Sequence, residues 1–117
     1  MISSIAFTVY PIVEMARSRT FYEDVLGLAL SHNFRNEWVE YDLGGSTFAI
    51  TTMNTDRVPG AKGALIAFET AELDALVNTL KKRSVSFVRD VFSTAVCRMA
   101  VIQDPDGNEL AIHQRHR

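Results

Sequence analysis

Cysteine occurs once, as Cys97, tryptophan once, as Trp38, and proline only three times. A single thiol excludes an internal disulfide and any Cys-x-x-Cys redox or metal site, and Cys97 reads as a small buried or edge residue. No apolar run approaches the ~20 residues needed to cross a bilayer, and no basic-then-apolar leader precedes the first strand. The expectation is a cytoplasmic protein without a membrane partner. Neither sign of charge dominates: Lys and Arg number 12 against 14 Asp and Glu, a formal net charge of −2. That balance leaves no electrostatic footprint for nucleic acid. The basic tail Arg115-His116-Arg117 reads as a solvated end. What remains is 117 residues, 47% hydrophobic and 22% charged, the composition of one ordinary globular domain.

The most telling motif is Asp104-Pro105-Asp106-Gly107-Asn108. Pro105 presets φ for a turn and Gly107 supplies the positive φ that closes it. It joins an apolar strand (Met99, Val101, Ile102) to another (Leu110, Ile112), which predicts a hairpin over 96–114. Trp38 to Leu43, Gly44-Gly45 and Thr47 to Thr51 predict a second hairpin over 37–52. Each hairpin closes a similar half. The first half has a strand at Ile5 to Val9, ended by Pro11, then a helix from about Glu14 to Leu26. Met15, Ser18, Tyr22, Val25 and Leu26 lie on one stripe of that helix and Gly27 stops it. A short strand over Leu28 to His32 follows. The second half has a strand at Ala64 to Glu69, then a helix at Glu72 to Arg83 with Leu73, Leu76, Val77 and Leu80 at the spacing of a buried face. A strand near Phe87 leads to the hairpin. Met53 to Gly63 has no apolar period and reads as a linker. Both halves therefore read β-α-β-β-β. Tyr22 and Leu80 match at an offset of 58 residues and Gly45 and Gly107 at 62. The Ile-Ala-Phe echo at 5–7 and 66–68 is out of register with the helices and is coincidental.

Arg19-Thr20-Phe21-Tyr22-Glu23-Asp24-Val25-Leu26-Gly27-Leu28, Ile66-Ala67-Phe68-Glu69 leading to Leu73-Asp74-Ala75-Leu76, and Asp104 to Asn108 resemble the vicinal oxygen chelate superfamily. That superfamily includes glyoxalase I, bleomycin-resistance proteins and extradiol dioxygenases. The resemblance implies an α+β fold: one domain of two βαβββ modules, about 1–53 and 63–117 with a linker over 54–62, forming an open, curled mixed sheet around a cavity. It also implies a homodimer, as short relatives commonly form. Metal-dependent members carry one ligand on the first strand of each module and one on the last. By alignment to these motifs, the four positions fall on Phe7, Ala49, Leu65 and Ala111. None has a lone pair to offer a divalent ion, so neither a metal nor another cofactor is expected.

Strand alternation predicts what the cavity holds instead. Val39, Tyr41 and Leu43 form an apolar row suited to packing under the helices, which sends Trp38, Glu40 and Asp42 to the other face with Thr47, Ala49 and Thr51. Leu110 and Ile112 go to the core, leaving Glu109, Ala111 and His113 facing inward; a tight turn at 104–107 pairs His113 near Arg98, and a bulge there moves Arg98 to the other face. The expected ligand-binding residues are Phe7, Trp38, Glu40, Thr51, Leu65, Arg98, Ala111 and His113. Trp38 reads either as packed aromatic bulk or as a stacking surface, and Glu40 either as a solvated strand face or as a ligand partner. His32 has no cluster around it and reads as surface. Three functions fit. The first is a metal-free binding protein of the bleomycin-resistance type, taking a small aromatic or cationic molecule beside Trp38, Glu40 and Asp42. The second is a metal-free enzyme with Glu40 and His113 as catalytic acid and base. The third is a lyase, isomerase or dioxygenase with metal ligands relocated to Glu40, Glu109 and His113.

Overall fold

Two adjacent glycines, Gly44 at φ 66° and Gly45 at φ 95°, turn the first hairpin. Positive φ at both central residues is the two-residue turn whose twist suits a hairpin, and glycine adopts it without the steric cost of a side chain. They join β3 (Trp38–Asp42) to β4 (Thr47–Thr51), which pair antiparallel with Trp38 opposite Thr51. β1 (Thr8–Pro11) runs parallel to β4, and β2 (Ala29–Phe34) runs antiparallel to β3. The sheet order is β1-β4-β3-β2. The computed structural model describes residues 1, 4–53 and 57–116, so Asn54 and Asp56 of the predicted linker and Arg117 of the tail lie outside the described residues. The chain divides into two compact units, Met1–Gly60 and Ala61–Arg117.

β1 starts three residues later than the apolar run Ile5 to Val9 predicts. The ladder decides the boundary: pairing to β4 begins at Thr8 opposite Phe48, and Ile5 and Phe7 stay exposed before it. The predicted helix is present but is not α-helical throughout. α1 (Met15–Arg19) runs straight into π-helical turns over Thr20–Val25, where the Leu26 amide donates to the Phe21 carbonyl at 2.9 Å. This wider winding places neighbours Phe21 and Tyr22 both in the core, their rings edge to face at 5.0 Å. Gly27, at φ 73°, ends it as expected, and the Leu28 amide closes back onto the Tyr22 carbonyl at 2.9 Å.

Tyr22 packs against Tyr41 and Phe48, so the helical segment covers the face of Val39, Tyr41, Phe48 and Ile50. Leu43, expected in that row, is 37% exposed because it lies past the end of β3, where its amide closes the turn onto Ser46. The Tyr41 hydroxyl donates to Glu23 Oε2 at 2.9 Å, and Arg19 Nε donates to the same oxygen at 2.7 Å. One carboxylate thus ties the helical segment to the sheet. The Arg19 guanidinium, helped by the Tyr41 hydroxyl, holds the Glu23 carboxyl below its ordinary 4.5 against the opposing effect of burial. A depressed carboxyl stabilises the fold above its unfolded value, and that contribution is lost as pH falls through the folded value. Glu23→Gln should therefore cost about 1–2 kcal/mol at pH 7. The gap between parent and variant should close below pH 4.5, as read by thermal melts from pH 7 to 3. A constant gap would rule out the ionised carboxylate as its source.

The second unit repeats the order with β5 (Ile66–Glu69), α2 (Leu73–Lys82), β6 (Phe87–Ser93), β7 (Cys97–Gln103) and β8 (Glu109–Arg115). Its sheet order is β5-β8-β7-β6, again with the first strand parallel to the last. The two four-stranded sheets are mixed and open-edged rather than closed into barrels. β1 and β5 begin 58 residues apart (Thr8 and Ile66), the same offset as Tyr22 and Leu80, so the Ile-Ala-Phe echo is indeed coincidental. α2 buries Leu73, Val77 and Leu80. The Leu73 amide donates to the Gln114 side-chain carbonyl at 3.0 Å, so β8 caps the helix that covers it. The Asp104 motif is structural. Asp104 Oδ1 accepts the amides of Asp106 and Asn108, each at 2.9 Å, and Oδ2 accepts the Asn108 side-chain amide at 2.8 Å. These bonds leave Asp104 and Asn108 buried without an unpaired charge.

Candidate functional site

With Tyr41 under the helix, alternation turns Trp38 and Glu40 to the helix-free face of the first sheet, where both are half-buried. Phe7 meets Trp38 edge to face at 5.1 Å. The indole Nε1–H of Trp38 donates to Glu40 Oε2 at 2.8 Å. Glu40 Oε1 has no protein partner among the described residues. One contact thus fixes the plane of the indole and leaves an ionisable oxygen at its edge.

Cross-strand partners extend this surface, because directly opposed residues share a face. One row across the sheet reads Val9, Ala49, Glu40, His32, and the next Pro11, Thr51, Trp38, Phe34. His32 and Phe34 belong there only because the pairing of β2 with β3 shifts between Leu30 and His32. Without that bulge, Glu40 would face Ser31 and Trp38 would face Asn33. His32 is exposed, as expected of a surface residue, but it stands beside Glu40 rather than alone. Phe34 is 45% exposed, with the Arg35 guanidinium 5.2 Å from its ring centre. Thr51 shares the face without being a free donor: its hydroxyl donates to the Glu37 carbonyl at 2.8 Å and accepts the Met53 amide at 2.9 Å. Asp42 is exposed beside the glycine turn.

In the second unit, Leu110, Ile112 and Gln114 lie on the helix side, and Glu109, Ala111, His113 and Arg115 opposite. Arg98 is a correction. It pairs across the ladder with Gln114, not His113, and its guanidinium grips Asp74 of α2 at 2.8 and 3.1 Å. The five residues 104–108 between β7 and β8 set a register that places Met99 opposite His113 and turns Arg98 to the helix. His113 instead meets a carboxylate from the parallel neighbour strand. Its Nδ1 lies 2.6 Å from Glu69 Oε1, while Glu69 Oε2 accepts the Arg115 amide at 2.9 Å. Both donors hold the Glu69 carboxyl below its usual range, the amide first. An ionised Glu69 only accepts, so the proton between them sits on His113 Nδ1. Glu40 and His113 therefore each have a partner inside their own unit, Trp38 and Glu69.

The metal positions of the resemblance hold Phe7, Ala49, Leu65 and Ala111, and Ala111 sits in a row of Ala67, Val101 and Arg89. This donor set does not fit a divalent ion. Glu109 is engaged by Lys62 at 3.8 Å. Among the described residues, no three of His, Cys, Asp and Glu gather as ion ligands.

The profile of the Glyoxalase/Bleomycin resistance protein/Dioxygenase superfamily matches residues 4–112. The chain belongs to this superfamily. Among solved structures similar to this glyoxalase/bleomycin-resistance chain is TnmS3, an antibiotic binding protein from Streptomyces sp. CB03234. The two share a TM-score of 0.83 and 23% identity over 98% of each chain. A glyoxalase/dioxygenase from Nostoc punctiforme matches with TM-score 0.81 and 15% identity, over 97% of this chain and 92% of that one. A lactoylglutathione lyase from Agrobacterium tumefaciens matches with TM-score 0.77 and 19% identity, over 97% and 95%. No curated protein matches significantly. At these identities the neighbours establish the glyoxalase/bleomycin-resistance fold and leave the chemistry to the site. Among the described residues, no helix is long and apolar enough to cross a membrane.

Proposed function

We propose that this protein binds a small aromatic or cationic molecule on the helix-free face of its first sheet, without a metal ion, and sequesters it unchanged. The observation that carries the reading is the Trp38–Glu40 contact: an indole held edge-on by Phe7 and anchored at 2.8 Å to a carboxylate with one oxygen still unpaired by protein among the described residues. An aromatic face with an adjacent carboxylate attracts a cation, and Phe34 widens the stacking surface. The likeness to TnmS3, an antibiotic binding protein, supports a small-molecule ligand. Screening a metabolite and antibiotic library by thermal shift tests it. Because Trp38 is the single tryptophan, genuine ligands should also change the intrinsic fluorescence. Stabilising ligands that leave that fluorescence unchanged would place the site elsewhere.

A second reading, metal-free acid–base catalysis, is favoured by the Glu69–His113 contact at 2.6 Å. In it Glu69 replaces Glu40 as the carboxylate that orients the imidazole. Recovery of a bound molecule chemically altered after incubation would select this reading over sequestration.

The homodimer belongs to the same proposal. Phe7, Leu30, Phe34 and Leu65 are each between 45% and 49% exposed, and β2 is an exposed edge strand throughout. Such apolar edges are ordinarily covered. Light scattering at micromolar concentration should give twice 13.1 kDa. A clean monomer would refute it.

A further inference from the structure

The last strand of the second unit ends in a cleft of about 510 Å³ lined by Ala95, Val96, His113, Arg115 and His116. Its two walls differ in chemistry. One is the turn between β6 and β7, which presents Ala95 and Val96, the latter 70% exposed. This wall is built rigidly: the Thr94 hydroxyl accepts the amides of Val96 at 3.2 Å and Cys97 at 3.1 Å, and the Thr94 amide donates to the Cys97 carbonyl at 2.8 Å. The His116 amide donates to the Val96 carbonyl at 2.9 Å, which fixes the strand end against the turn. The other wall carries three basic side chains; neither Arg115 nor His116 forms a direct ion pair among the described residues, and the Arg115 charge acts on Glu69 from a distance.

Glu69 organises this basic wall without filling the cleft. Both of its oxygens are committed to β8, one to the His113 ring and one to the Arg115 amide. Because Nδ1 of His113 faces Glu69, Nε2 lies on the far side of the ring, away from the carboxylate. A chain of net charge −2 thus gathers an arginine and two histidines around one apolar-walled cleft. We propose that this cleft is a second binding site, which takes a small organic anion, a carboxylate or phosphate ester, with its charge at Arg115 and its apolar body on Val96. Arg115 offers the forked donors that both groups accept. The two histidines supply further polar contacts, and the ligand's apolar part covers the exposed valine.

The site rests on residues of the second unit alone, so it stands or falls independently of Trp38. The chain has three histidines, and His32, in the first unit beside Glu40, reports binding at the Trp38 face rather than at this cleft. Imidazole proton resonances would be followed by NMR at pH 7 during titration with benzoate, phenyl phosphate and neutral benzamide, while Trp38 fluorescence is recorded in parallel. A saturable shift of His113 and His116 with benzoate, phenyl phosphate or both, absent with benzamide, is the expected result, and the two anions separate carboxylate from phosphate. His116→Gln and His32→Gln together assign the three resonances. Arg115 is exposed, so Arg115→Gln should fold normally and weaken anion binding at least tenfold. No saturable shift with either anion, equal shifts with benzamide, or undiminished binding by Arg115→Gln would each overturn the proposal.

Discussion

Tyr41→Ala should remove about 3–5 kcal/mol of stability, the range for deleting a large buried aromatic side chain. Tyr41 has no exposed surface, lies 6.3 Å from Phe48 and 6.2 Å from Tyr22 between ring centres, and donates its hydroxyl to Glu23. Truncation leaves a cavity between sheet and helical segment and strips Glu23 of one of its two anchors. Tyr41→Phe separates the two losses. It keeps the ring packing and removes only the hydrogen bond, for about 1–2 kcal/mol. Glu40→Gln, one residue earlier on the opposite face, should cost less than 1 kcal/mol, as changes at partly exposed positions usually do. Urea unfolding of the three variants at pH 7 checks the order. If Glu40→Gln destabilises as much as Tyr41→Ala, the division of β3 into a helix-side and a helix-free face is wrong.

That division was legible because β3 alternates cleanly. Val39 and Tyr41 have no exposed surface, while Trp38 and Glu40 are half-buried. The succession of elements along the chain and the glycine-turned hairpins followed from equally local signals, since Gly44, Gly45 and Gly107 all take positive φ. What sequence could not give was register between strands distant in the chain. His32 and Phe34 reach the Trp38 face through a single-residue bulge, and no residue in Ala29–Phe34 announces one. Arg98 went to the wrong face because the connection of β7 to β8 uses five residues where a tight turn was expected. Glu69 was missed as a site residue for a related reason: its partner His113 is 44 positions away and meets it only through parallel pairing of β5 with β8. A charged residue closing an otherwise apolar strand, Ile66-Ala67-Phe68-Glu69, was the available signal.

Trp38→Ala and Glu40→Gln should each weaken binding of a cationic ligand found by screening by about 1–3 kcal/mol, the range for losing a charged hydrogen bond, or roughly five- to 150-fold in affinity. The two variants act through different losses. Trp38→Ala removes the stacking surface and leaves Glu40 without the indole donor that orients it. Glu40→Gln retains the shape and keeps an acceptor for the indole, but removes the negative charge, so its effect should be large for a cationic ligand and small for a neutral aromatic one. The ratio of the two losses therefore reports the ligand's charge as well as its location. Calorimetry on both variants measures it, since Trp38→Ala abolishes the fluorescence signal. His32→Ala adds a further discrimination. Standing opposite Glu40, His32 should modulate a cationic ligand's affinity, while Arg98→Gln, whose side chain is bound to Asp74 on the helix side, should leave it unchanged. Loss of binding in Arg98→Gln with retention in both Trp38→Ala and Glu40→Gln would remove the site from this face of the first sheet.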